Sequence, residues 1–306
     1  MKDFAGRTAF VTGGANGVGI GIVRNLLNAG CKVAIADIRQ DAIDRALASL
    51  DNREVMGIRL DVSSREGFRE AADRAEAELG PVSLLFNNAG VNLFQSIEDS
   101  SYDDWDWLLG VNLHGVINGV MTFAPRMKQR VLAGEQTGGH ITNTASMASF
   151  VAGGIPGIYN TTKFAVRGLS YSLRHSMCDY GIGVSVVHPG LVKSYIYASD
   201  DVRPDELKRE MKPVDTDHVK RLEGVHEFGM EPDVIGERIL DGIRENRANI
   251  FTHPDHKEEV RELFDEILSD YRDYPPDAGF DQRVGFEKMR QEKFSETRRK
   301  ARDLAR

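Results

Sequence analysis

Two cysteines, Cys31 and Cys178, in a chain of 306 residues are too few and too far apart for a disulfide framework or a zinc site. A long apolar run is missing too. The longest stretch free of Asp, Glu, Lys and Arg, Gln136–Thr162, is filled with Gly, Ser, Thr, Asn and Pro and does not read as a membrane span. The opening MKDFAGRTAF carries charge too early for a signal peptide. These absences lead us to expect a cytoplasmic protein with no membrane partner. Basic excess is also lacking: the net charge is −8, so no nucleic-acid partner is expected. Only the tail runs the other way, with nine Lys/Arg against four Asp/Glu in residues 283–306, which read as a solvated helix. The eight histidines form no ligand cluster. His253-Pro254-Asp255-His256 reads as a loop between a strand and a helix, and no metal is expected.

What is present is a regular alternation, in a chain with 41% hydrophobic and 28% charged residues. Short apolar runs at 8–14, 32–37, 55–61, 83–90, 139–146, 183–190 and 249–253 are apolar on both faces, as buried parallel strands are. Helix-like segments lie at 16–29, 40–49, 64–79, 101–133, 157–180 and 232–246. This order predicts an α/β fold, a doubly wound seven-stranded parallel sheet of the Rossmann type. Residues 191–231 break the alternation and read as a lid insertion over a ligand site. Residues 1–254 are thus expected to form a dinucleotide-binding domain. Residues 255–306, with helix-like stretches at 256–272 and 283–304, read as its helical C-terminal extension.

The first strand runs into Thr12-Gly13-Gly14-Ala15-Asn16-Gly17-Val18-Gly19, and a helix follows. Such a glycine turn lets backbone N–H groups and the helix N-terminus approach a pyrophosphate, although a plain strand–helix turn uses the same residues. Asp37, closing the second strand, favours the ligand reading. A carboxylate there binds the adenosine ribose hydroxyls and repels the 2′-phosphate of NADP. Asn16 and Ile38 offer that phosphate no cation. Arg39 is the one nearby cation, and its expected place is over the adenine or in solvent. Asp61 and Val62 end the third strand within reach of an adenine. Asn87-Asn88-Ala89-Gly90 ends the fourth with small residues that let backbone pass close to adenosine. NAD is therefore the expected cofactor.

Ser146 ends the fifth strand, and Tyr159 and Lys163 share one face of the next helix at i and i+4. A lone Tyr-x-x-x-Lys is common on helix surfaces. Behind a strand-end serine and a dinucleotide turn it suits proton transfer, with an ammonium helping a phenol ionise. Asn112 sits in the middle of a helix where amides are unfavourable; a local kink or a bound water accounts for it, a proton relay toward Lys163 would use both, and a satisfied core amide is the plainer use.

Together these motifs resemble the short-chain dehydrogenase/reductase family, from about residue 3 to residue 254. The resemblance implies a catalytic tetrad of Asn112, Ser146, Tyr159 and Lys163. It also implies a nicotinamide carboxamide held after Pro189-Gly190 by the Val192 backbone, with Ser194 standing where threonine is commoner. Helix-face pairing of 101–133 and 157–180 into a homodimer or homotetramer follows by the same analogy. The segment YDDWDWLLGVNLHGVINGVMTFAPRM (102–127), the opening MKDF, GVHEFGMEPD (224–233) and the helical extension look like NAD-dependent Cα-dehydrogenases of bacterial lignin aryl-ether breakdown. That likeness implies oxidation of a benzylic alcohol such as that of guaiacylglycerol-β-guaiacyl ether. Tyr195 and Tyr197 from the insertion, Leu93 and Phe94 after Gly90, and Met147 after Ser146 are the side chains expected around such a ring. Packing of the lid on the sheet is the plainer use for them. Another hydroxy or oxo substrate, or an NAD-binding protein without activity, are the alternative functions.

Overall fold

The computed structural model describes residues 3–50, 54–212 and 216–304. Seven strands form one parallel sheet: β1 (Thr8–Thr12), β2 (Lys32–Asp37), β3 (Val55–Arg59), β4 (Val82–Asn87), β5 (Gly139–Thr144), β6 (Ile182–His188) and β7 (Asn249–Phe251). They lie in the order β3-β2-β1-β4-β5-β6-β7, and the first six have the expected Rossmann arrangement. Every residue of β1, β4, β5 and β6 is buried, because helices cover both faces. One face packs α1 (Gly17–Asn28), α2 (Gln40–Ala48) and α8 (Pro232–Arg244) around Val11, Ile35 and Leu84. The other packs α3 (Arg65–Leu79) and α5 (Gly115–Leu132) around a ring cluster of Phe10, Phe68 and Phe123. Six of the seven strands stop two or three residues short of the apolar runs that announce them. Those last residues leave the ladder and become the loops of the site.

The long helix expected at 101–133 is interrupted. α4 (Tyr102–Leu109) starts at a capping box, in which Ser101 Oγ accepts from Asp104 N and Asp104 accepts from Ser101 N. A π turn, Gly110–His114, then leads into α5. α6 (Gly157–Met177) crosses beside it. The insertion folds as tight 3-10 turns at Ile196–Val202 and Asp205–Leu207, then α7 (Thr216–His226). It docks on the first turn of α4. Arg203 pairs with Asp104 at 2.6 Å, with side chains 0% and 5% exposed, and Arg209 pairs with the buried Asp103 at 3.0 Å. The extension forms α9 (Lys257–Ser269) and α10 (Phe280–Asp303), the latter beginning three residues before its expected start.

Candidate active site

The site begins where β1 meets β4. Thr12 Oγ1 accepts from the N–H groups of Asn88 (2.9 Å) and Ala89 (3.1 Å), and Asn88 Nδ2 donates to the carbonyls of Thr12 and Gly13. Gly13 has φ +60°, and a Cβ on it would come 2.8 Å from Ala89 Cα. A Cβ on Gly19 would come 1.9 Å from the Gly13 carbonyl oxygen. The turn is therefore pressed onto the β4 loop and admits no side chain at either position. Asn16, Gly17 and Val18 reach the cavity wall, while Gly19 lies behind it as a packing residue. The bracing by Thr12 and Asn88 was not anticipated, since in the sequence they are merely small polar residues at strand ends.

Asp37 lines the same cavity, accepting from Ala15 N and Arg39 N at 3.2 Å each. Burial pushes its carboxyl up, and those two N–H groups oppose the shift. Arg39 lines the cavity as well, but its guanidinium is paired with Asp41 at 2.9 Å. Asp61 accepts from the Ser63 N–H and hydroxyl, and with Val62 it lines the same cavity. Ala89 and Gly90 continue the wall toward the catalytic groups.

Ser146, Tyr159 and Lys163 converge on one wall. Ser146 Oγ accepts from Ala148 N at 3.1 Å, which fixes the turn after β5. Burial raises the Tyr159 phenol pKa, and the Ser146 side chain opposes the rise. Lys163 is almost fully buried, donates to the Thr144 carbonyl at 3.0 Å, and has its ammonium pushed down to about 8 by burial. Its Nζ lies 5.3 Å from the Tyr159 ring centre. Asn112 is in the π turn, where the anticipated kink is found, but its amide bonds Val91 (N at 2.8 Å, O at 2.9 Å) and Thr162 Oγ1 (3.2 Å), not Lys163. Asn112 and Lys163 instead flank Gly90 from two sides, 3.3 and 3.4 Å from where its Cβ would stand. Asn112 thereby fixes the Gly90–Val91 backbone.

The loop after β6 closes the opposite side, with Pro189, Gly190, Val192 and Ser194 in the wall. Its backbone is held by two histidines that sequence reasoning missed. His253 Nδ1 accepts from Gly190 N (3.0 Å) while Nε2 donates to the Leu191 carbonyl (2.9 Å), which fixes the neutral tautomer. His226, the last residue of α7, bonds the Val192 carbonyl at 2.9 Å. The His253–His256 motif therefore contributes a loop brace, a role visible only once β7 lies beside β6.

The cavity measures about 770 Å³ and extends past Tyr159 beneath the insertion. Of the side chains expected around a substrate, Phe94, Tyr195, Ser146 and Tyr159 line it. Leu93, Met147 and Tyr197 do not. Leu93 packs into the cluster around Trp107, Met147 is buried behind Ser146, and Tyr197 turns its hydroxyl to Glu223 and its ring to His226. Trp107, Val202 and Leu207 take their place. Trp107 reads in sequence as a core residue on the apolar face of its helix. The guanidinium of Arg203 lies 5.1 Å from its ring centre, so the ion pair that docks the insertion also positions this wall. A strand-end carboxylate, a glycine turn, a buried lysine and a phenol along one apolar cavity fit a dinucleotide and a small alcohol or ketone.

Comparison with known proteins agrees with this arrangement. The family model for short chain dehydrogenases matches residues 7–203. A Cα-dehydrogenase of Sphingobium sp. (strain NBRC 103272 / SYK-6) is 38% identical over 271 residues, covering 88% of this chain and 87% of that protein. A solved structure described as a short-chain dehydrogenase of Novosphingobium aromaticivorans is 65% identical, with a TM-score of 0.88 over 99% of this chain and 100% of that one. A short-chain dehydrogenase/reductase of Burkholderia phymatum, solved in complex with NAD, is 33% identical with a TM-score of 0.83, covering 91% of this chain and 100% of that one. From the sheet order, the converging serine, tyrosine and lysine, and these matches, the chain belongs to the short-chain dehydrogenase family and is an oxidoreductase.

Proposed function

We propose that the protein oxidises a benzylic secondary alcohol, the Cα-hydroxyl of a lignin-derived β-aryl ether, to the ketone with NAD. The observation that carries this reading is the convergence of Ser146, Tyr159 and Lys163 on a cavity whose far wall is Trp107, Val202 and Leu207. Similarity to the Sphingobium Cα-dehydrogenase supports the substrate. Asp37 facing the cavity, with Arg39 held by Asp41, supports NAD over NADP. Gly13, Asn16, Gly17 and Val18 would hold the pyrophosphate, and Asp37 the ribose. Asp61 and Val62 would border the adenine. Gly190, Val192 and Ser194 would meet the nicotinamide end. Bound NAD supplies a hydride acceptor.

The chain's own residues do the rest. Ser146 orients the substrate hydroxyl and Tyr159 takes its proton. The phenol has to fall from its raised, buried value to do so, and the Lys163 ammonium favours the phenolate. Asn112, by fixing Gly90 and Val91, keeps the floor beside Lys163 in place. Phe94 and Tyr195, which line the cavity, suit an aromatic ring better than a polyol. The test is catalytic efficiency with NAD and NADP for a β-aryl-ether benzylic alcohol against small aliphatic alcohols and polyols. Preference for the aryl ether with NAD is expected, and a clear preference for the small substrates overturns the proposal.

A further inference from the structure

Burial without a partner marks one residue in the wall of the cavity. Among the described residues that line it, Asn92 alone has a buried side-chain polar atom without a hydrogen bond. The residue is 8% exposed, and its Oδ1 is enclosed by protein with nothing to accept from. Its amide nitrogen donates to no described atom either. The one hydrogen bond from this residue is made by its backbone N–H, to Ser199 Oγ at 3.0 Å. Exchanging the amide oxygen and nitrogen leaves the same two atoms unanswered. The little surface that the residue keeps faces the cavity.

The carboxamide is also held in place. Val91, just before it, is gripped at both N–H and carbonyl by Asn112. Ser199, which holds the Asn92 N–H, donates its own hydroxyl to the Ile196 carbonyl at 2.7 Å within the insertion. A buried amide that makes no bond inside the chain costs the fold stability, and an apolar side chain would pack there at less expense. Such a group calls for a partner from outside the chain.

The surroundings narrow that partner. Asn92 lies two residues beyond Gly90, a span of at most ~7 Å, and Lys163 Nζ is 3.4 Å from where a Gly90 Cβ would stand. Val91 and Tyr159 share one apolar cluster with Trp107. The amide therefore serves an oxygen near the carbon that reacts, not one on the far edge of an aromatic ring. A hydroxyl answers whichever amide atom faces it, since it both donates and accepts.

We propose that Asn92 is a specificity-determining residue, whose carboxamide hydrogen-bonds a second hydroxyl of the substrate, two carbons from the carbon oxidised. This rests on the reading of the substrate as a β-aryl ether, in which the end of the glycerol chain supplies that hydroxyl.

Two substrates test it: a 1-aryl-2-aryloxypropane-1,3-diol, and the 1-aryl-2-aryloxyethanol with the same rings but no hydroxymethyl group. Catalytic efficiency is measured at saturating NAD for wild type, Asn92→Leu and Asn92→Ala, and melting temperatures check that each folds. Wild type should favour the diol by about 10–100-fold, because the shorter alcohol leaves the amide unanswered. Both variants should lose efficiency on the diol and bring the ratio of the two close to one. A residue that only packs the wall would lower both efficiencies together and keep the ratio, which overturns the inference. A wild-type ratio near one, with both compounds oxidised, overturns it while leaving the β-aryl-ether reading intact. Turnover of neither compound overturns that reading and this inference with it.

Discussion

Lys163→Met should make the cofactor-free protein more stable while abolishing its turnover. Burial lowers the ammonium from 10.5 to about 8. At pH 7 the folded chain thus holds a proton that it binds less well than the unfolded chain does. At about 1.4 kcal/mol per pKa unit, the folded state is destabilised by about 3 kcal/mol. The cost is full below pH 8 and fades as pH rises from 8 through 10.5, where the unfolded chain also loses the proton. Methionine fills the space without a charge but leaves the Thr144 carbonyl without its donor, a loss of about 1–2 kcal/mol. The net gain expected at pH 7 is about 1–2 kcal/mol, a rise in melting temperature of roughly 2–3 °C for a chain of this size. By about pH 10 the advantage should be gone or reversed. Urea unfolding of both proteins at the two pH values, with turnover measured in parallel, gives the answer. A variant already less stable at pH 7, or a difference indifferent to pH, would refute the reasoning. The expected pattern is a site held at the expense of the fold.

Tyr159→Phe keeps the ring and removes the proton acceptor, so turnover should fall by at least about 10²–10⁴-fold with unfolding unchanged; near-normal turnover removes Tyr159 from the chemistry. Asp37→Ala should narrow the ratio of catalytic efficiencies with NAD and NADP by raising the latter, because the carboxylate facing the ribose end is gone; a wild type indifferent between the two cofactors would defeat the premise. Arg203→Met strands the buried Asp104, although Ser101 N–H still serves one of its oxygens. It should cost about 3 kcal/mol and raise KM for the aryl alcohol more than KM for NAD. An equal rise in both would show that Arg203 does not act through the substrate wall.

The sheet was legible because its strands are buried on both faces and therefore apolar throughout. Their ends were not, since Asn88, Ser146 and Gly190 look like strand continuations until hydrogen bonds to Thr12, Ala148 and His253 pull them away. Gly13, Asp37, Tyr159 and Lys163 were readable from local spacing. Arg203 with Asp104, and His253 with Gly190, were not, because partners 99 and 63 residues apart leave no local pattern. Trp107 was hidden for another reason, as with Leu108 and Val111 it makes an apolar face and passes for core. Tyr197 lies in a segment whose course is decided by docking on α4, so its direction was beyond any periodicity.

The π turn between α4 and α5 also sets a phase. It holds one residue more than an α-helical turn, and a residue corresponds to about 100° of rotation about the helix axis. Rewinding Gly110–His114 as ordinary α-helix with all five residues kept would leave α5 seated on the sheet through Phe123 and Met127. Everything upstream would then swing by about a quarter of a circle. Asp103 and Asp104 would turn away from Arg209 and Arg203, and the insertion would lose its dock. Removing one residue instead lets an α turn replace the π turn with both flanks in phase. A single-codon deletion there would spare the faces of both helices and cost only the bulge that carries Asn112.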